Sequence, residues 1–388
     1  MSCIIVTVIT FGFLLLYRII NTLQRKNQVK KPWQELLNTS TLEMRAGPNK
    51  RLELIFGIKN SFTTSNLEFH KSFLMFTIKK LEVISKSDWK EIRDDALEQI
   101  KKKKHQSRVS ETLKLSSLVQ NLKFRIILRQ FFPSAPSPRD DTIEKLTAKI
   151  NSMWMKSKNF KGETLERLQT EKKEILCLLS EILSEKVEEG SKNPLNIIIP
   201  AYETLWRVVL LCFLETVFRT STDERSVYNK IAEKFMQNPS LNTLNEKNIE
   251  SINMGMIVKE TLRLYPPTRR IYRLLNGIKE CVNVESLHRD PEFFGPNENR
   301  FQPRRWKGEE KRILEQYLPF GYGKFKCPAR NNVAPMMIAV LSSALIVEMG
   351  EEYSILQDLG QDPLPSERNS FDDMNLNVSR FKKSKSVI

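Results

Sequence analysis

The run LNIIIPAYETLWRVVLLCFLETVF (195–218) is apolar on nearly every face of the helix it would form. A helix without a polar face has to be surrounded, so this segment requires a large domain with other helices packed around it. Pro200 lacks a backbone donor and predicts a kink, with polar Glu203 and Thr204 one turn beyond it. The flanking sequence supplies the surrounding helices. Through residues 35–260 apolar residues recur at three- and four-residue spacing, as in LSSLVQNLKFRIILRQFF (115–132) and LERLQTEKKEILCLLSEILSEKV (165–187), with loops at PSAPSPRDD (133–141) and EEGSKNP (188–194). After 260 the chain is punctuated by Pro and Gly with short strand-like runs, and NNVAPMMIAVLSSALIVEM (331–349) reads as one more buried helix before a short β-like tail.

Composition narrows the class. With 388 residues, 40% hydrophobic and 28% charged, the chain can build a core of enzyme size and is not a disordered polymer. Five cysteines at 3, 177, 212, 281 and 327 include no close pair, which argues against a disulfide scaffold and against CxxC zinc or redox motifs. Three histidines, at 70, 105 and 288, disfavour a His-rich metal site. The formal charge of +16 points to a membrane surface, nucleic acid or an acidic partner. The run Lys101 to Lys104 reads as a solvated helix face, without the aromatic interleaving of an RNA-binding surface.

From Met1 to Tyr17 no side chain is charged, and Arg25, Lys26, Lys30 and Lys31 follow before the next acid, Glu35. The positive-inside rule then predicts a membrane anchor at 1–20, a basic linker at 21–40 and a cytosolic body at 41–388. A cleaved signal peptide is the competing reading, and it would need a basic start and a small-residue cleavage site that this segment lacks.

The sharpest chemical signal is FGYGKFKCPA (320–329). Gly321 and Gly323 allow a tight turn and close approach to a flat ligand. Cys327 follows, between cations and ahead of a helix, which favours thiolate. A lone thiolate is a poor zinc site and a good axial ligand for haem iron. Upstream, Glu260 and Arg263 share one helix face at i, i+3 before Pro266 and Pro267, and FQPRRW (301–306) brings Arg305 as a second guanidinium for the same carboxylate.

In this order and spacing the motifs resemble those of the cytochromes P450, the haem-thiolate monooxygenases, with a looser fungal flavour in RAGPNKRL and LRLYPPTRR. The resemblance implies a mainly α fold with small β-sheets, a single large domain and an N-terminal membrane anchor. It implies haem b as cofactor, with Cys327 as the iron ligand, Phe320 packing on the sulfur side, and Glu260, Arg263 and Arg305 as a structural cluster. Arg273 would pair with a haem propionate, with either His70, in SNLEFHKSF, or Trp89 and Arg93, in WKEIR, as a further propionate contact; His70 suits the family's spacing better. Thr204 and Glu203 would relay protons from the distal helix. Two departures stand out: the family's Arg two residues before the cysteine is Phe325 here, with Lys324 or Lys326 as substitutes, and its Gly two residues after is Ala329.

The activity so implied is insertion of one oxygen atom from dioxygen into a lipophilic small molecule, in secondary metabolism, at the endoplasmic reticulum membrane. NADPH would supply the electrons through a reductase, and nucleic acid is not an expected partner. The rivals are a haem-thiolate isomerase, dehydratase or peroxygenase that needs no reductase, and a catalytically silent membrane-anchored binding protein.

Overall fold

The computed structural model describes residues 32–110, 112–159, 165–246, 251–308, 311–367 and 369–378. The expected anchor at 1–20 and the first part of the linker lie outside these residues. The chain divides after Ser40 into two units. In the first, the described part is the helix Pro32–Thr39.

Among its described residues the second unit is mainly helical with two small sheets. At its centre, Trp206–Val217 buries every residue except Arg207, and Val333–Met349 is buried over nearly its whole length. These two helices pack on each other, with Trp89–Ser110 and Thr222–Gln237 laid against Val333–Met349 and Leu115–Phe131 against Trp206–Val217. The segment 195–217 is long and apolar enough to cross a membrane, yet 72% of its most apolar window is buried inside the protein, as a core helix requires. Side-chain caps set several helix starts: Asn66 Oδ1 accepts from Phe69 N at 2.8 Å, and Asn253 Oδ1 accepts from Met256 N at 2.9 Å.

The expected kink at Pro200 is displaced. Helix Leu195–Glu203 runs through the proline and breaks at Thr204–Leu205, before Trp206–Val217 resumes. Proline leaves the carbonyl of Asn196 without its helical donor, and the side-chain amide of Asn60 fills that place at 3.3 Å. The next unsatisfied carbonyl, that of Pro200, instead accepts the Thr204 hydroxyl at 2.6 Å. The helix therefore survives its proline and opens one turn later.

The expectation of a solvated lysine face at 101–104 also needs correction. Lys101 and Lys102 are exposed, but Lys103 pairs with Asp140 at 3.0 Å and Lys104 donates to the Glu348 carbonyl at 2.7 Å. Half of the run is used between helices because Trp89–Ser110 lies in the core of the bundle.

The first sheet has the order β1 (Thr112–Lys114), β5 (Asn375–Val378), β4 (Tyr353–Ser354), all antiparallel. The second is the hairpin β2 (Arg270–Leu275) and β3 (Ile278–Asn283), in which Arg273 faces Glu280 across the ladder. Asn276 and Gly277, both with positive φ, make its two-residue turn. The short helix Leu42–Ala46 packs on β2 so closely that a Cβ on Gly47 would meet Leu274 Cδ2 at 2.9 Å. This contact brings the start of the second unit to the site described next.

Candidate functional site

The helix Met254–Leu264 ends where Tyr265 and two prolines prevent continuation, and it delivers Glu260 and Arg263 fully buried. Arg263 grips the carboxylate with both prongs, Nε to Oε2 and Nη2 to Oε1, each at 2.8 Å. Oε1 also accepts the Gln302 amide at 2.9 Å and Arg305 Nε at 3.4 Å, and Oε2 accepts the Trp306 indole at 3.0 Å. The remaining donors of Arg263 reach the carbonyls of His288 at 2.9 Å, Glu298 at 2.5 Å and Arg300 at 3.2 Å. Arg305 donates to the carbonyls of Phe294 and Asn297. Each buried charge thus has a geometric partner, and the cluster binds the loop of 288–306 to the helix. It fixes structure and exposes no reactive atom.

From there the chain enters the cysteine loop. Gly321 and Gly323 adopt φ of 76° and 62°, the left-handed region that side chains resist. The Cys327 amide closes the turn by donating to the Phe320 carbonyl at 2.8 Å. A short 3-10 turn, Pro328–Arg330, separates Cys327 from the helix Val333–Met349, so the expected helix start does not directly follow the sulfur. Burial pushes the Cys327 thiol above its ordinary pKa; the Ala329 backbone N–H and the charges of Arg330 and Arg45 pull the other way and do not overcome it.

Around this loop the structure gathers several of the residues singled out above. His70, near the start of helix Leu67–Lys86, sets its ring 6.0 Å from that of Phe325, edge on, and its Nδ1 is buried without a hydrogen-bond partner. Arg273 on β2 is buried, with its guanidinium carbon 5.6 Å from the Phe325 centroid. The alternative pair lies elsewhere: Trp89 is buried in the core, and Arg93 donates to the carbonyls of Met236 and Gln237 at the end of another helix. Lys324 and Lys326 are exposed.

Glu203 and Thr204 occupy the break in the central helix. Glu203 is 2% exposed, with Arg207 Nη1 3.9 Å from Oε2, while the half-buried Thr204 bonds to Pro200 as described.

Three functional contributors were not identified from sequence. Trp306 completes the Glu260 shell. His288 donates from Nδ1 to the Arg263 carbonyl at 3.0 Å and accepts the Leu318 amide at Nε2 at 2.7 Å, joining the cluster to the entry of the cysteine loop. Arg45, on Leu42–Ala46, lies with its guanidinium carbon 4.6 Å from the Phe62 centroid and 4.7 Å from that of Phe325. Only its position before a Gly-Pro turn in RAGPN marks it in the sequence.

The donor set fits a flat dianionic prosthetic group with one soft axial ligand: a single sulfur, a glycine turn beside it, buried cations and an imidazole nitrogen without a partner. The comparisons agree with this class of fold. A cyanobacterial retinoic-acid-bound protein, CYP120A1, superposes with a TM-score of 0.61 at 14% identity, covering 89% of this chain and 86% of that one. A six-coordinate cytochrome P450 from Thermus thermophilus gives 0.57 at 16% identity, covering 85% and 83%.

In sequence, residues 227–348 match the cytochrome P450 family model. Cytochrome P450 3A17 of Cavia porcellus is 29% identical over 198 residues, 47% of this chain and 35% of that protein. Amorpha-4,11-diene 12-monooxygenase of Artemisia annua is 32% identical over 102 residues, 22% and 20% of the two chains. The chain has the fold of the cytochromes P450, and its segment 227–348 carries that family's sequence match. It aligns with well under two thirds of the length of these curated relatives, and they come from a mammal and a plant, so they lend no support to a fungal affinity.

Proposed function

We propose that the chain is a haem-thiolate monooxygenase, tethered by residues 1–20 to the endoplasmic reticulum membrane, that inserts one oxygen atom from dioxygen into a lipophilic small molecule in secondary metabolism. NADPH supplies the electrons through a reductase, and the basic surface near Lys324 and Lys326 suits an acidic partner. The observation that carries this reading is the closed glycine turn that presents Cys327 beside buried Arg273 and the unpartnered Nδ1 of His70.

In this reading Cys327 holds the haem iron through Sγ, with Phe320, Gly321 and Gly323 shaping the loop and Arg273 and His70 meeting the propionates. Bound there, the haem supplies dioxygen activation, aided by electron donation from the thiolate. Glu203 and Thr204 carry protons inward, Glu203 held beside Arg207 and Thr204 Oγ1 placed at the helix break where backbone carbonyls are opened. Glu260, Arg263 and Arg305 keep the loop of 288–306 fixed, so that Leu318 and the cysteine turn start from a rigid base.

The decisive test is spectroscopic. The reduced, carbonyl-bound protein should show the red-shifted Soret band of thiolate ligation, and persistence of that band in Cys327→Ser would remove the ligand assignment.

One observation favours a second reading. Pro200 and Ala201 stand where the related distal-helix pattern has a small residue and Gly, a departure beside the Thr204 hydroxyl that donates to the Pro200 carbonyl. A haem-thiolate isomerase, dehydratase or peroxygenase needs no proton relay for NADPH-driven turnover. Turnover without a reductase and without dioxygen distinguishes it.

A further inference from the structure

We infer that Arg45 binds a carboxylate of the prosthetic group in this chain, replacing the cation that position 325 lacks; the inference rests on the haem-thiolate reading above. Phe325 stands where the related pattern has a guanidinium, and its two lysine neighbours do not substitute for it. Lys324 and Lys326 are both exposed, with Nζ 5.4 Å from the Phe325 centroid and 5.6 Å from the Tyr322 centroid respectively.

Arg45 is placed differently. It is 9% exposed, and among the described residues no carboxylate and no hydrogen-bond acceptor engages its guanidinium. It is held between the rings of Phe62 and Phe325, which order a cation without neutralising it. A buried guanidinium without a carboxylate or hydrogen-bonded partner is costly, and a ligand that pairs with it would remove that cost.

The neighbourhood specifies what that ligand is. Arg273, His70 and Arg45 all converge on the Phe325 ring, from β2, helix Leu67–Lys86 and helix Leu42–Ala46 respectively. Burial and the charge of Arg273, only partly offset by Cys327, push the Arg45 pKa down to about 10, and burial brings Arg273 to about 10 as well. Two buried guanidinium groups repel each other unless an anion lies between or beside them. A group with two carboxylates matches both in number and in charge, and a guanidinium fork pairs with a carboxylate through two parallel hydrogen bonds. The cation lost from the cysteine loop is therefore supplied from the far end of the domain sequence, by the helix that packs on β2.

The experiment uses the full chain loaded with haem and follows haem loss to an excess of apomyoglobin. Arg45→Leu should release haem about tenfold faster than the parent, the loss of a charge-assisted hydrogen bond. Arg45→Leu combined with Phe325→Arg should restore the parent rate to within about threefold, a rescue that a merely unfolded variant would not show. With haem dimethyl ester, whose carboxylates are neutral, the parent and Arg45→Leu should release at the same rate. Equal release of native haem by the parent and Arg45→Leu overturns the assignment alone, as does a difference that persists with the diester. A parent chain that takes up no haem overturns the haem-thiolate reading and this inference together.

Discussion

His288 accepts the backbone N–H of Leu318 at its Nε2, 2.7 Å away, and so spends its lone pair on the segment that leads into the cysteine turn. Its other nitrogen donates to the Arg263 carbonyl at 3.0 Å, which fixes the neutral tautomer. The ring is fully buried and stacks at 5.5 Å on Tyr317, itself 4.8 Å from Trp306. One imidazole therefore transmits the rigidity of the Glu260 cluster to the loop of Cys327.

This arrangement has a pH signature. Burial, assisted by the charges of Arg263 and Arg289, pushes the His288 pKa down to about 3 from 6.5. Between those values the unfolded chain binds a proton that the folded chain refuses. Stability is therefore full above pH 6.5 and falls as pH drops toward 3, by about 1.4 kcal/mol per unit from this residue. Urea melts from pH 7 to pH 4.5 should show a steeper loss for the parent than for His288→Gln. Parallel slopes would mean that His288 is protonated in the folded protein.

The Glu260 cluster predicts a ranking. Glu260→Gln leaves Arg263, which is fully buried, without its counter-charge and should cost roughly 3–5 kcal/mol. Trp306→Phe removes a single hydrogen bond to the carboxylate, at 3.0 Å, and should cost about 1.5–3 kcal/mol. Denaturant midpoints give the order directly. A Trp306 variant as damaging as the Glu260 variant would show that indole packing, and not charge, holds the loop.

Lys123 offers the opposite case. It sits 2% exposed in the middle of helix Leu115–Phe131, and among the described residues it has no ion pair or hydrogen bond from its ammonium. Burial lowers its pKa to about 7 from 10.5, so its cost is absent above pH 10.5 and grows as pH falls toward 7. Lys123→Met keeps the length of the side chain and should raise stability at pH 7 by about 1–3 kcal/mol, with a smaller gain at pH 10. A destabilised variant would show that the amine serves a purpose in the folded state.

These residues also show what was legible in the sequence. Glu260, Arg263 and Cys327 stand in short motifs whose spacing alone implies a shared helix face or a tight turn, so their geometry could be read before the fold. Arg305 required only the loop closure of FQPRRW onto that helix. Arg45, by contrast, acquires its meaning when Leu42–Ala46 packs on β2, more than two hundred residues later, and no local pattern encodes that contact. His288 is a single histidine whose hydrogen-bond partners are both backbone atoms, and these leave no mark on side-chain sequence. The break at Thr204 was placed one turn too early for a similar reason. The amide that relieves Pro200 belongs to Asn60, and only the tertiary structure brings it there.

That break leads to the test of the proton path. Thr204 Oγ1 now donates to the Pro200 carbonyl at 2.6 Å, and Glu203 lies buried with Arg207 at 3.9 Å. If Thr204 only relieves the helix, Thr204→Ala should change stability slightly and leave catalysis alone, since the residue is half-buried. If it also delivers protons, the variant should still consume NADPH in the presence of a reductase but divert the electrons to peroxide, with product formation reduced by up to about 100-fold. Thr204→Ser, which keeps the hydroxyl, should recover most of the coupling. NADPH consumed, product formed and peroxide released, measured together for the three proteins, separate the two roles. Unchanged coupling in Thr204→Ala would confine Thr204 to the helix break and leave Glu203 to be tested alone by Glu203→Gln.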